Sequence, residues 1–274
     1  MPREKIWFVT GASRGFGRIW SEAALARGDK VVATARNIDD LSDLVEAYGD
    51  NVLAKALDVT DRDAVFNAVE AAHRHFGRID VVLSSAGYGY MGAVEELDID
   101  AAKANFETNV FGTLSVIQAV LPILRQQAAG HILTVSSIGG ILSFPTGGAY
   151  TATKFAVEAL SEALSGEVAG LGIKVTVIEP GSFATGFGSS VKFASGIEAY
   201  DVVRQAIRDG FTPSDQGDPY ATSAAILKVV DAEKPPLRLV LGSTTISRFK
   251  DAYEQRIMTW ENWEDVSIAA HGAR

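Results

Sequence analysis

The chain contains no cysteine. That excludes disulfides and thiolate-held metals, and it suits a reducing compartment. Histidine is scarce as well, with four in 274 residues. His73 and His75 lie two apart on a predicted helix, so they face different ways. His131 opens a predicted strand and His271 falls near the C-terminus. All four read as solvated, and no group of His, Asp and Glu has ligand spacing, so no metal is expected. Positive charge is in short supply: 25 Lys and Arg stand against 34 Asp and Glu, a net −9. Such a chain offers no basic face to a nucleic acid and none to an anionic membrane. Long apolar runs are missing too. The longest, "LSVIQAVLPIL", contains Gln118 and Pro122 and is too short to span a bilayer. The opening "MPREKIWFVT" carries charges without an apolar core, so no secretory signal is expected. These absences point to a cytoplasmic protein.

What is present is ordinary globular composition, 47% hydrophobic and 22% charged. Val-, Ile- and Leu-rich runs mark strands at Ile6–Thr10, Lys30–Thr34, Val52–Leu57, Ile79–Ser84, His131–Ser136, Ile173–Ile178 and Leu237–Leu241. They do not alternate strictly, which fits strands covered on both faces of a parallel sheet. Between them lie helical patterns at Gly17–Arg27, Asp39–Tyr48, Asp61–Phe76, Asp98–Gln127 and Ala149–Gly170. Thr60, followed by Asp61 and Asp63, reads as an N-cap with an acidic first turn. The repeated order predicts an α/β Rossmann fold: a doubly wound, seven-stranded parallel sheet with helices on both faces. Right-handed crossovers put all strand C-termini on one edge, where ligands bind. No linker, repeat or low-complexity tract interrupts the chain, so residues 1–274 read as one domain. The rhythm breaks at 182–220, which holds Phe183, Phe187, Phe193, Tyr200 and Phe211. This segment is either a substrate lid or a helical excursion packed on the core.

Three stretches carry chemistry. "TGASRGFG" follows the first strand and opens a helix, with glycines at Gly11, Gly15 and Gly17. Glycine permits the tight turn and close backbone approach, and the helix start presents N–H groups to a pyrophosphate. At the end of the second strand, "VVATARN" has Ala35 and Arg36 where dinucleotide folds tend to carry an acid for the ribose 2′-hydroxyl. No carboxylate repels a 2′-phosphate there, and Arg36 and Arg14 can pair with it. NADP is therefore expected over NAD. In "AYTATK", Tyr150 and Lys154 stand four apart at a helix start and share a face. A free tyrosine has a pKa of about 10, and a neighbouring ammonium is expected to lower it, making an acid/base pair. The alternative is a solvated Tyr and Lys.

With "DVT" at Asp58–Thr60, "SSAG" at Ser84–Gly87, "NVFG" at Asn109–Gly112, Ser137 and "PGSFAT" at Pro180–Thr185, the chain resembles the short-chain dehydrogenase/reductase family over essentially its whole length. Ser137 precedes Tyr150 by thirteen residues, the family's spacing. "VVATARN" and "EPGSFAT" are similar to the branch containing 17β-hydroxysteroid dehydrogenase-like enzymes. The resemblance implies Tyr150 as acid/base, Ser137 as hydrogen-bond donor to the substrate oxygen, and Lys154 as the group that lowers the tyrosine and holds the nicotinamide ribose. It gives Asn109 a water in a proton relay. For the cofactor it implies Gly11, Ser13, Arg14, Gly15, Phe16 and Gly17 in the first loop, with Arg36, Asp58 and Val59 at the adenine end. Ser85, Ala86 and Gly87 would lie by the ribose, and Pro180, Gly181, Phe183 and Thr185 by the nicotinamide. Ser85 replaces the family's usual Asn, a departure expected to touch local hydrogen bonding more than catalysis.

Substrate walls are expected from Tyr88, Tyr90, Met91, Ile138, Ile141, Leu142, Phe144, Phe183 and Phe187. They are apolar or aromatic, as pocket linings commonly are. They suit a neutral, hydrophobic ketone or secondary alcohol. In "RFKDAYEQRIMTWENWEDVS", Trp260 and Trp263 share a helical face and would pack on the sheet or close the pocket. The resemblance further implies a homodimer or homotetramer through the helix carrying Tyr150 and the long helix before it. The expected activity is that of an NADP(H)-dependent carbonyl reductase or alcohol dehydrogenase. Its rivals are a non-catalytic NADP-binding sensor and an epimerase or dehydratase of the same fold.

Overall fold

The computed structural model describes residues 4–210 and 216–272; Phe211 lies outside them. Seven parallel strands form the sheet: β1 Ile6–Thr10, β2 Lys30–Ala35, β3 Val52–Ala56, β4 Val81–Ser84, β6 Gly130–Val135, β7 Ile173–Pro180 and β9 Arg238–Leu241. Their order is β3-β2-β1-β4-β6-β7-β9. The order reverses between β1 and β4, which is where ligands bind in open α/β sheets. Two short strands, β5 Tyr90–Met91 and β8 Lys192–Phe193, make a separate parallel pair.

Burial explains why the strands lack alternation. Trp7 and Val9 point into one core with α1 Gly15–Ala26, α2 Ser42–Tyr48 and α8 Thr222–Asp231. Phe8 and Val82 point into the other with α3 Arg62–Phe76, α5 Gly112–Gln127 and α6 Gly148–Val168. Both faces of the sheet are dry, so both sets of strand side chains are apolar. Buried indoles keep their donors satisfied: Trp7 Nε1 donates to Asp29 Oδ2 at 2.8 Å and Trp20 Nε1 to Thr222 Oγ1 at 2.7 Å.

Several expectations need correction. The N-cap of α3 is Asp61, whose carboxylate accepts from Ala64 N at 2.9 Å, and not Thr60. Thr60 instead bonds Asp58 Oδ1 through both its N–H and its hydroxyl. The helix predicted over 98–127 is α4 Ile99–Phe106, a π-helical turn Glu107–Phe111, and α5. Together they make a continuous 29-residue run, long and apolar enough by length and composition to cross a bilayer, contrary to the reading of its apolar stretch. Its Val116, Ile117, Val120 and Leu124 are buried in the second core, so it is a core helix of the sheet. His131 is buried, not solvated: its Nε2 lies 2.9 Å from Thr176 Oγ1, and burial pushes its pKa down to about 3. The C-terminal pattern forms α9 Thr245–Asn262 and α10 Glu264–His271, yet Trp260 and Trp263 are exposed and neither pack on the sheet nor close a pocket. Segment 182–220 is less irregular than expected, since it contains β8 and α7 Asp201–Asp209. The ten-residue helix α8 also lies outside the predicted helical segments.

Candidate active site

The first loop is shaped by glycine. Gly11 and Gly15 have φ of +70° and +59°, values that L side chains rarely adopt. A Cβ on Gly17 would lie 2.3 Å from the Gly11 carbonyl oxygen, and one on Gly11 would lie 3.0 Å from Ala86 Cα. The chain therefore closes on itself without a side chain, at the C-terminal edge of β1. Arg14 occupies the N-cap of α1 and no side chain caps the helix. Its first N–H groups are left to meet an anion.

Thr10 ties this loop to the next one. Its Oγ1 accepts from Ser85 N at 3.1 Å and from Ala86 N at 3.2 Å. Ser85 Oγ itself lies against Gly17. Arg14 and Arg36 are exposed on this edge. The Arg36 charge also acts on the Tyr88 phenol, which burial pushes up while Asn105 and Arg36 pull it down. Val59 is buried against Gly112.

Three backbone elements bring the reactive side chains together. Ser137 follows β6 and opens a short turn, accepting from Gly139 N at 3.1 Å. Tyr150 and Lys154 sit in the first turns of α6, both buried. A Cβ on Gly139 would meet Tyr150 Cε1 at 3.4 Å and Ser137 Oγ at 3.5 Å, so the serine and the phenol flank one glycine. Lys154 Nζ donates to Val135 O at 2.8 Å and lies 5.8 Å from the Tyr150 ring centroid. Asn109 is in the π-helical turn, a device frequent at functional sites. It donates to Tyr88 O and Thr153 Oγ1 at 2.9 and 3.0 Å and accepts from Tyr88 N at 3.0 Å. Its Oδ1 and Lys154 Nζ both face Gly87.

The electrostatics depart from expectation. Burial pushes the Tyr150 phenol up to about 12, and the Ser137 hydroxyl opposes that shift. Burial also pulls Lys154 down to about 8, opposed by Glu158. A lysine-lowered tyrosine was expected. Desolvation wins because both groups are dry, and the ammonium spends its hydrogen bond on Val135.

The end expected to meet the nicotinamide is framed by Pro180, buried at the end of β7, and Gly181, whose N–H bonds Leu241 O at 2.8 Å. Phe183 meets Phe16 edge-on at 5.5 Å between centroids. Thr185 Oγ1 accepts from Phe187 N at 3.3 Å, which leaves its hydroxyl hydrogen free to donate. Phe187 stands 5.5 Å from the Tyr150 ring and covers it. It also meets Gly89 beside Met91 and Val191. Ile138 and Leu142 are half-buried in the serine turn, and Phe144 folds onto Gly147. Two expected wall residues are spent elsewhere. Tyr90 is buried with its hydroxyl accepting from Asp98 N at 2.9 Å, because adjacent strand residues face opposite ways and Met91 takes the Phe187 side. Ile141 is buried and its carbonyl accepts from Arg256 at 3.3 Å. One residue was missed: Lys192 Nζ lies 4.8 Å from the Tyr88 ring centroid, brought there by β5–β8 pairing. Nothing in its local sequence signals this.

Residues 5–194 match the short chain dehydrogenase family. Oxidoreductase BOA17 of Botryotinia fuckeliana is 43% identical over 271 residues, covering 97% of this chain and 99% of that protein. A short-chain dehydrogenase structure from Streptomyces avermitilis superposes with a TM-score of 0.90 at 40% identity, covering 98% and 99% of the two chains. An alcohol dehydrogenase from Thermococcus sibiricus, solved with 5-hydroxy-NADP, gives a TM-score of 0.75 at 25% identity, covering 89% and 98%. With this fold, these residues at the strand edge and this match across most of its length, the chain belongs to the short-chain dehydrogenase family and is an oxidoreductase.

Proposed function

We propose that the protein is an NADP(H)-dependent carbonyl reductase and secondary alcohol dehydrogenase with Tyr150 as its acid/base. The observation that carries this reading is the convergence of Ser137, Tyr150 and Lys154 beside an uncapped helix start. The nicotinamide supplies or accepts the hydride at the substrate carbon. The Ser137 hydroxyl donates to the carbonyl oxygen and steadies the charge that develops there. Tyr150, kept protonated by burial, gives its phenolic proton to that oxygen as the alcohol forms. In the reverse direction the Tyr150 phenolate oxygen takes the proton back from the alcohol. Lys154 holds ribose hydroxyls, and Asn109 anchors the Tyr88 backbone beside it.

Exposed Arg14 and Arg36, with no acid after Ala35, support NADP over NAD. Phe187, Met91, Ile138, Leu142 and Phe144 support a neutral, hydrophobic substrate. Phe187, lying over Tyr150, supports a lid role for the described residues of 182–220. Exposed Phe111 and Phe155, on the long helix and on α6, support a homodimer or homotetramer formed there.

The test is NADPH and NADH oxidation against a panel of bulky and small ketones, with Tyr150→Phe alongside. Expected is NADPH-preferring turnover of bulky ketones, lost by about 100-fold or more in the variant. Preference for NADH overturns the arginine reading. Tight NADPH binding without turnover favours the sensor.

A further inference from the structure

Behind Ser137, Tyr150 and Lys154 lies a buried cluster that the proposed reaction leaves unused. Glu158 stands one helical turn after Lys154 on α6 and is 4% exposed. Glu179, on β7, is 1% exposed. Carboxylates are almost never this dry without a partner. Here both share one guanidinium. Arg238 Nε lies 3.2 Å from Glu158 Oε2 and 3.3 Å from Glu179 Oε1, while its Nη2 lies 2.8 Å from Glu162 Oε2. Three carboxyl groups therefore face one cation. Among the described residues, Glu158 Oε1 and Ser136 Oγ have no hydrogen-bond partner in good geometry, though the Ser136 hydroxyl acts on the Glu158 carboxyl, and Glu179 Oε1 has only its ion pair. Buried carboxyls that share one cation disfavour each other's ionisation. Consistent with that, burial and Glu158 push Glu179 up to about 7.

The cluster touches the candidate catalytic groups from two sides. Gly140 ends the Ser137 turn and packs on it: a Cβ there would lie 2.3 Å from Ser136 Oγ and 3.0 Å from Glu158 Cγ. Lys154 is fastened to Val135, the residue before Ser136. Glu158 thus borders the serine turn and stands one helical turn from the lysine on α6. Its charge reaches Lys154 through a dry medium in which Coulomb forces are strong.

We propose that Glu158 is a positioning residue for Lys154 and the Ser137 turn: when ionised it keeps the lysine protonated, and Glu179 governs how far it is ionised. The ionic coupling belongs to the chain itself; only its catalytic consequence rests on the oxidoreductase reading. The charged groups facing Glu158 are Lys154 and Glu162 from α6, Glu179 from β7 and Arg238 from β9. The serine turn and Asn109 present only neutral groups, and Arg256 of α9 reaches the far side of that turn at Ile141.

The test is an NMR titration of the full chain carrying 13C-labelled lysine, with the Lys154 signal assigned by its loss in Lys154→Arg. Glu158→Gln is expected to move the Lys154 midpoint down by about one pH unit. Glu179→Gln is expected to move it up, because Glu158 then loses its competitor for the ionised state. Glu162→Gln, altering the most exposed of the three carboxyls, should move it least. A purely structural cluster would not give shifts of opposite sign. An unmoved midpoint in Glu158→Gln, or shifts of the same sign in both variants, overturns the proposal. If Glu158→Gln does not fold, an unmoved or lowered midpoint in Glu179→Gln overturns it alone. Opposite shifts without ketone turnover would leave the coupling standing and remove the reductase reading.

Discussion

The Gly-rich loop and the segment from Phe183 to Gly217 flank the same strand edge but are held by different physics. The loop is held by backbone. Its form follows from positive φ at Gly11 and Gly15 and from the contact of Gly17 with the Gly11 carbonyl. The segment is clasped at its ends by Gly217 N to Ser182 O and Ala184 N to Gly217 O, both 3.0 Å. Between those ends, the described residues are tied to β5 by backbone bonds from Lys192 N to Gly89 O and Ala194 N to Met91 O, both 2.8 Å, and further on by side chains distant in sequence. Glu96 accepts from Ala93 N at 2.8 Å and Ile197 N at 2.7 Å and pairs with Arg204, and Tyr200 Oη donates to Glu95 Oε2 at 2.5 Å. Sterics within a few residues leave a signature in the sequence. A carboxylate and an arginine 108 residues apart leave none.

Breaking the backbone-held side should cost most. In Gly17→Ala the new methyl meets a carbonyl oxygen, and overpacking of this kind costs about 1–3 kcal/mol. A lower melting temperature is expected, with NADPH affinity reduced about tenfold or more, read by fluorescence titration. Unchanged binding would mean that the loop does not seat the cofactor. Glu96→Gln should act on the other side alone. Faster proteolytic cleavage within 183–210 is expected, with KM raised severalfold and melting little changed. The Ile197 N–H, then the Ala93 N–H and Arg204, hold the Glu96 carboxyl below its usual range. Because the folded value is the lower one, the latch is whole above the ordinary carboxyl pKa and is lost as pH falls through the lowered value. Wild-type cleavage should rise in acid, and cleavage of the variant should not follow. The smallest effect belongs to Trp260→Ser. Its indole is 63% exposed, so stability should move by no more than about 0.5 kcal/mol. A larger drop would show that the indole is covered in solution.

The site was legible where spacing carried the information. The thirteen residues from Ser137 to Tyr150 end with both side chains against Gly139, and Lys154 follows one helical turn later on α6. The direction of the tyrosine shift was not legible, because it depends on dryness and not on the presence of a lysine. His131 was misread for the same reason: its place at a strand start says nothing of the layers above and below it. Tyr90 and Met91 look alike as apolar wall residues, and only the facing of β5 separates them.

By itself, then, the sequence determined most of the strand and helix succession and the glycine turn after β1. These rest on steric and periodic rules that act within a few residues. Tertiary structure alone decided which ionisable groups are dry and which face one another. Glu158, Glu179 and Arg238 meet because β7 pairs with β9 beneath α6, and Lys192 meets Tyr88 because β8 pairs with β5. Burial and long-range charge are properties of the packed layers, and no short stretch of residues encodes them.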